Sequence, residues 1–437
     1  MTFTQRYGLH LRDKKILCAA PSFESLGAAQ IFSMSTHRRN YYRKEVLSVL
    51  TNGRNQFNSA DITLDNWKDF PFSTHTFQNV SELIPIEKIA GSSHTLLPCE
   101  INESILSESY AIGGQFQSGA EFLSESYTDA LLVCKDGQII SEYYANEMTM
   151  FSPHLTFSVS KSITGIVAGK VFAKFGISTD TQICDVLDGT AGGAYADATI
   201  RHLLDMTVSL DFDESYASKE GVYARYRQAM LWMPRFGDSE FSDEDLARFI
   251  LSLPKGSDEH GLQFSYKSPN ADLLGLVLEE ISGLPLAQLI SEELWMPLGC
   301  GPATITIDSK KMARTAGGLS CSIQDLAMVG ELMRAGGIHS GAALLNPMWV
   351  VDTFTGGDKA AWSCGEFVDS FPDGSYRNQF YAIGDGVLCA IGIHGQWIYI
   401  DAAKEVVIAK FSCQPTADDD DLDRKSLDFF RAVASSL

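Results

Sequence analysis

The chain has 437 residues, 45% hydrophobic and 20% charged, enough to bury a large core without covalent staples. Its 34 basic and 55 acidic residues give a net charge of -21, which repels phosphate backbones and anionic lipid heads and so argues against nucleic-acid or membrane partners. The nine cysteines show no Cys-x-x-Cys spacing, which excludes a zinc knuckle or redox pair and fits a reducing compartment.

Residues 1–60 carry no motif and are expected to form an N-terminal extension. Their longest apolar burst, Ile16 to Ala20, is too short for a signal-peptide core, so a cytoplasmic protein is expected. Trp67 to Pro85, rich in aromatics and turn residues, reads as a wrapping segment. Thr128 to Val133 and Gln138 to Tyr144 flank Lys135-Asp136-Gly137 and predict a hairpin. Val159, Ile163, Ile166, Val167 and Phe172 recur at helical spacing, predicting a helix from Ser158 to Phe175 that Gly176 ends. A second helix is predicted over Ala271 to Ile281, with Ser268 as cap, Pro269 in the first turn and Gly283 at the close. Gly386 to Asp401 and Glu405 to Ser412 read as strands. The acid run Asp418 to Asp421 reads as a solvated linker to a last helix, roughly Lys425 to Ala434.

This order predicts an α+β fold in which strands from both chain ends share one antiparallel sheet flanked by helices. The expected units are an α/β domain over 61–180 and 381–437 and a mainly helical subdomain over 181–380, with the active site between them.

Competing signatures are missing: no Gly-x-Ser-x-Gly elbow, no His-Glu-x-x-His and no complete phosphate loop. Gly165 to Lys170 reads as core helix, and Gly384-Asp385-Gly386 as a turn. Ser158-Val159-Ser160-Lys161 stands out. A serine hydroxyl needs a nearby base to become a nucleophile, and residues three apart on a helix share a face. The helix N-terminus offers N–H groups to an oxyanion and disfavours a protonated lysine. A second Ser-x-x-Lys match, Ser252 to Lys255, contains Pro254 and is taken as chance. Tyr266, just before the second helix, is a candidate proton relay. Gly392-Ile393-His394-Gly395-Gln396-Trp397 lies in a late strand where a substrate could rest.

Together, Ser158-x-x-Lys161, Tyr266 and His394-Gly395-Gln396 resemble the three motifs of class C β-lactamase and penicillin-binding-protein-like hydrolases. Phe157 to Ser162, Leu203-Leu204-Asp205-Met206, Phe212 to Tyr216 and Ile393 to Gln396 are similar to the 6-aminohexanoate-dimer hydrolase branch, and the resemblance runs over roughly residues 60–437. It implies a β-lactamase/transpeptidase-like fold and acyl transfer through Ser158, with Lys161 and Tyr266 managing the proton. It also implies Tyr216 over the pocket, bonding the substrate nitrogen, and an oxyanion hole built by the N–H groups of Ser158 and Trp397. His394, Gly395 and Gln396 are expected along the substrate.

Two departures bear on substrate. The Lys-Thr-Gly of β-lactamases is replaced by His394-Gly395-Gln396, and Arg225 and Arg227 stand where that branch carries an acid for the substrate's ammonium. The expected activity is hydrolysis of small amides or esters, with no metal or organic cofactor. The alternatives are a β-lactamase or D-Ala-D-Ala peptidase-like enzyme, or a catalytically weak ligand-binding member of the fold. Oligomeric state is left open.

Overall fold

Strands from distant parts of the chain meet in one seven-stranded antiparallel sheet. The computed structural model describes residues 57–190, 192–216, 218–235 and 243–437, so nearly all of the expected 1–60 extension lies outside the described residues. The strands that frame the site are β1 (Ile86–Ile89), β2 (Thr128–Lys135), β3 (Gln138–Tyr144), β4 (His154–Leu155), β5 (Ala303–Thr306), β6 (Leu319–Cys321), β7 (Ser375–Arg377), β8 (Phe380–Ala382), β9 (Val387–Gly392), β10 (Gln396–Asp401) and β11 (Val406–Ser412). The large sheet runs β7-β8-β9-β10-β11-β2-β3, and a four-stranded sheet runs β1-β5-β6-β4.

The predicted hairpin is β2 and β3, and Asp136 and Gly137 hold the positive φ values its turn requires. β2 pairs with β11 (Val133 opposite Ile408), so the two chain ends share the sheet as expected. The late apolar run is two strands, β9 and β10, because residues 393–395 reverse the chain.

Helix α1 (Val159–Phe175) ends at Gly176 in the left-handed conformation. Every residue from Val159 to Gly169 is buried, so α1 is enclosed on all sides over its first three turns instead of showing the single apolar face its spacing suggested, and only its C-terminal end is exposed. Four further helices are α2 (Gly221–Ala229), α3 (Ser268–Ser282), α4 (Ile323–Arg334) and α5 (Asp420–Ser436). α3 packs on α1, and α4 covers the large sheet along β10, β11 and β2. α5 lies on the opposite face, where the Phe430 ring sits 5.7 Å from both the Trp397 and the Tyr399 rings.

Two local expectations are corrected. Ser268 is the first residue of α3 and not its cap; its amide and hydroxyl both turn to Glu214. The acid run is the start of α5 and not a linker. The Asp419 side chain accepts from Leu422 N at 3.0 Å, and Asp420 and Asp421 occupy the first turn, where the helix dipole favours carboxylates. The 181–380 stretch supplies strands β5 to β7 and the sheet-covering α4 as well as other helices. Among the described residues, no single helix is long and apolar enough to cross a membrane.

Candidate active site

The chain enters α1 through a strained corner. Phe157 has φ 44, a left-handed value costly for a bulky residue. Its ring is held by Phe77 at 4.8 Å, His394 at 5.2 Å, Trp232 at 6.0 Å and Trp67 at 6.4 Å. Ser158 then occupies the N-cap position of α1 without making a side-chain capping bond, which leaves its Oγ for other partners.

Lys161 Nζ lies 2.8 Å from Ser158 Oγ and 2.7 Å from the Ala316 carbonyl oxygen. The lysine is only 1% exposed. Burial pulls its pKa down to about 7, with Arg314 pushing the same way and Glu214 and Asp272 opposing. A substantial fraction of Lys161 is therefore neutral near pH 7 and able to take a proton. Asp272 anchors the neighbourhood: it accepts from Ala316 N at 2.8 Å and pairs with the buried Arg314 guanidinium.

Tyr266 closes the cluster. The Lys161 ammonium sits 4.8 Å from the centre of its ring, and Ser158 and Tyr381 are near enough to its hydroxyl to favour the phenolate. Burial, the largest cause, raises its pKa, so Tyr266 keeps its proton at neutral pH. The Tyr381 ring stacks on Tyr266 with centroids 6.1 Å apart.

Glu214 links two of the expected residues. It accepts from the Tyr216 hydroxyl at 3.1 Å and from both the amide and the hydroxyl of Ser268. Tyr216 thus reaches the cluster by way of Glu214, its ring 5.6 Å from that of Tyr223.

The late-strand residues take different positions from those expected. His394, Gly395 and Gln396 shape the β9–β10 hairpin instead of lining the cleft. His394 is buried, with Nδ1 2.7 Å from the Gln414 carbonyl oxygen; burial, aided by Lys68, pushes its pKa down to about 3, so it is neutral. A Cβ on Gly395 (φ 84) would lie 2.6 Å from the Gln414 side chain. Gln396 Nε2 donates to the Ser412 carbonyl at 2.7 Å and the His394 carbonyl at 3.0 Å. Gly392 is the point of closest approach to the nucleophile: a Cβ there would lie 3.1 Å from Ser158 N and 2.7 Å from the Thr156 oxygen.

Trp397 does not fit the role of second oxyanion donor. Ile383 N donates to the Val387 oxygen at 3.0 Å. Peptide groups alternate along an antiparallel strand, so Val387, Cys389, Ile391 and Ile393 aim their N–H groups to the β8 side. β8 pairs only with Leu388 and Cys389, leaving that edge open from Ala390 onwards. By the same alternation Trp397 turns its N–H to Lys410 in β11, away from the open edge, and its indole lies against Phe430. Ile393, next to Gly392, presents an N–H on the side of Ser158.

Other expectations sort plainly. Lys255 bonds Asp197 at 2.7 Å and Ser252 Oγ donates to the Phe249 carbonyl, so the second Ser-x-x-Lys match is not paired. Asn270 is buried and accepts from Tyr195, outside the cluster.

A serine, a buried lysine and a tyrosine gathered at the mouth of an enclosed helix, beside the open edge of an antiparallel sheet, define a serine hydrolase of the β-lactamase type. Residues 124–431 match the Beta-lactamase family, and the chain belongs to it. It is 30% identical over 363 residues to the 6-aminohexanoate-dimer hydrolase of Paenarthrobacter ureafaciens, covering 82% of this chain and 90% of that protein. Among solved structures, a Bacillus anthracis protein provisionally assigned as a 6-aminohexanoate-dimer hydrolase superposes with TM-score 0.78 at 21% identity, covering 87% of this chain and 98% of that one. The hydrolase EstCE1, with promiscuous acyltransferase activity, gives TM-score 0.56 at 18% identity, covering 72% of this chain and 98% of that one. The chain is accordingly an amide- or ester-bond hydrolase with the β-lactamase/transpeptidase-like fold.

Proposed function

We propose that the enzyme cleaves small esters or linear amides through an acyl-enzyme on Ser158. Neutral Lys161 takes the hydroxyl proton as Ser158 Oγ attacks the carbonyl carbon, and the lysine, with Tyr266 beside it, returns that proton to the leaving oxygen or nitrogen. Water then attacks the ester, the acid is released and Ser158 regains its proton. The N–H groups of Ser158 and Ile393 hold the oxyanion, a contribution worth about 2.7–4 kcal/mol per donor in comparable sites. Tyr216, oriented by Glu214, faces the leaving nitrogen of an amide.

The single observation that carries this reading is the 2.8 Å contact between Lys161 Nζ and Ser158 Oγ with a lysine pKa near 7. The relative from Paenarthrobacter supports amides as substrates, and the EstCE1 likeness is one of fold alone. The reading takes the enzyme as cytoplasmic, since no disulfide joins the cysteines among the described residues. The test is Ser158→Ala. It should abolish release of p-nitrophenol from the butyrate ester and prevent labelling by a fluorophosphonate, read as a missing mass shift on the intact protein. Unchanged turnover in that variant would falsify the proposal.

A further inference from the structure

Two cations near the aromatic wall behind Ser158 have no acidic partner among the described residues. Arg227, on α2, is 8% exposed; its Nε is buried without a hydrogen-bond partner among the described residues, and its Nη2 donates to the Ser218 carbonyl. Its guanidinium lies 5.3 Å from the Tyr223 ring centre, and Tyr223 touches Tyr216. Lys68 forms no ion pair among the described residues either, although exposed Asp69 is near enough to favour its charge. Burial, then Arg227, then Arg314 press its pKa down to about 8. Both residues hang from one aromatic wall: Trp67 Nε1 donates to the Trp232 oxygen at 3.3 Å, and Trp232 N donates to the Arg227 oxygen at 2.8 Å. Both tryptophans pack on Phe157, immediately before Ser158.

The nearby charges are otherwise engaged. Arg314 is matched by Asp272, Arg225 by Glu244, and Glu214 is bonded to Tyr216 and Ser268. Holding a half-buried and a buried like charge near one another, with no counter-ion among the described residues, costs free energy, which a bound anion would return through charge-assisted hydrogen bonds.

We infer that Lys68 and Arg227 form a subsite for a carboxylate carried by the substrate away from its scissile bond. The inference rests on the acyl-transfer reading above and narrows its substrate class to anionic esters or amides. The Ser158→Ala protein allows binding to be read without turnover, by calorimetry, with adipate, the six-carbon diol or the six-carbon diamine as ligand. Adipate should bind at least about tenfold more tightly than either of the others. Lys68→Gln should remove that preference, and Lys68→Glu should shift it towards the diamine. Arg227→Gln, the more buried change, should act in the same direction, and the Lys68 variants decide the matter if it does not fold. Adipate binding no better than the diol, or a preference unmoved by Lys68→Gln and Lys68→Glu, overturns the subsite. Hydrolysis of the neutral butyrate ester by the unsubstituted enzyme is read separately. A protein that cleaves that ester but ignores adipate keeps its proposed function and loses only this inference.

Discussion

The carboxylate of Glu214 receives both the amide N–H and the hydroxyl of Ser268, two residues beyond Tyr266, while it also holds the Tyr216 hydroxyl. One acid thus holds both the start of α3 and the Tyr216 hydroxyl. Glu214→Ala would leave the Ser268 amide and the Tyr216 hydroxyl without an acceptor. We expect a loss of about 1–3 kcal/mol in denaturant unfolding and a fall in kcat of more than about tenfold, larger for amides than for esters. Equal losses on both substrate types would detach Tyr216 from the leaving nitrogen.

Lys161 governs the pH dependence. Its pKa lies near 7 in the folded chain against 10.5 when free, so the unfolded state binds more protons between these values. Stability then rises with pH across that window, because a depressed lysine pKa costs most when the lysine is charged. Activity should climb through an ascending limb near pH 7 in kcat/KM for an uncharged ester. Lys161→Met should lose turnover, and its gain in Tm over the parent should be greater at pH 6 than at pH 9. A flat profile between pH 5 and 9 would refute the lysine as base.

Gly392→Ala inserts a methyl group 3.1 Å from Ser158 N. The strand must back away, carrying Ile393 with it. The expected result is a fall in kcat of about 10²–10³, the usual effect of losing one oxyanion donor, with KM changed far less. Steady-state kinetics on the butyrate ester decide this.

Trp397→Phe provides the contrasting case. The indole faces Phe430 on the α5 side of the sheet, so its truncation should lower stability by about 1–3 kcal/mol and leave kcat within about threefold. A hundredfold loss of kcat in a folded variant would show that the indole, and not only stability, bears on the active site.

Tyr381→Phe removes the hydroxyl that favours the Tyr266 phenolate. Without that donor the Tyr266 phenolate is harder to form, so any alkaline limb belonging to Tyr266 should move to higher pH. An unaltered alkaline limb would show that Tyr381 does not act on Tyr266.

What could be read from the sequence was local. The hairpin around Asp136-Gly137, the helix behind Ser158 and the close of α3 at Gly283 all follow from turn chemistry and periodicity within a few residues. Ser158, Lys161 and Tyr266 were found because the first two lie one helical turn apart and the third just before a helix. Glu214 and Tyr381 were not assigned roles, since their partners are 54 and about 115 positions away in the chain and no short pattern encodes such a meeting. The displaced oxyanion donor has another cause. Counting past His394-Gly395-Gln396 as though they were strand ignores the reversal at 393–395, which changes the side to which each later N–H points. Arg227 was visible as a misplaced charge, and only its burial beside Lys68 gives that charge a use.

Phe157 is held in its strained backbone by four rings from three segments, and Trp67 and Phe77 lie ahead of residue 124, where the Beta-lactamase match begins. A shortened protein cut to the family boundaries would carry the whole Ser-Lys-Tyr trio yet lose half of the brace that aims the serine. Anyone trimming this enzyme for expression should keep the chain from before Trp67, or expect a folded remnant that no longer turns over.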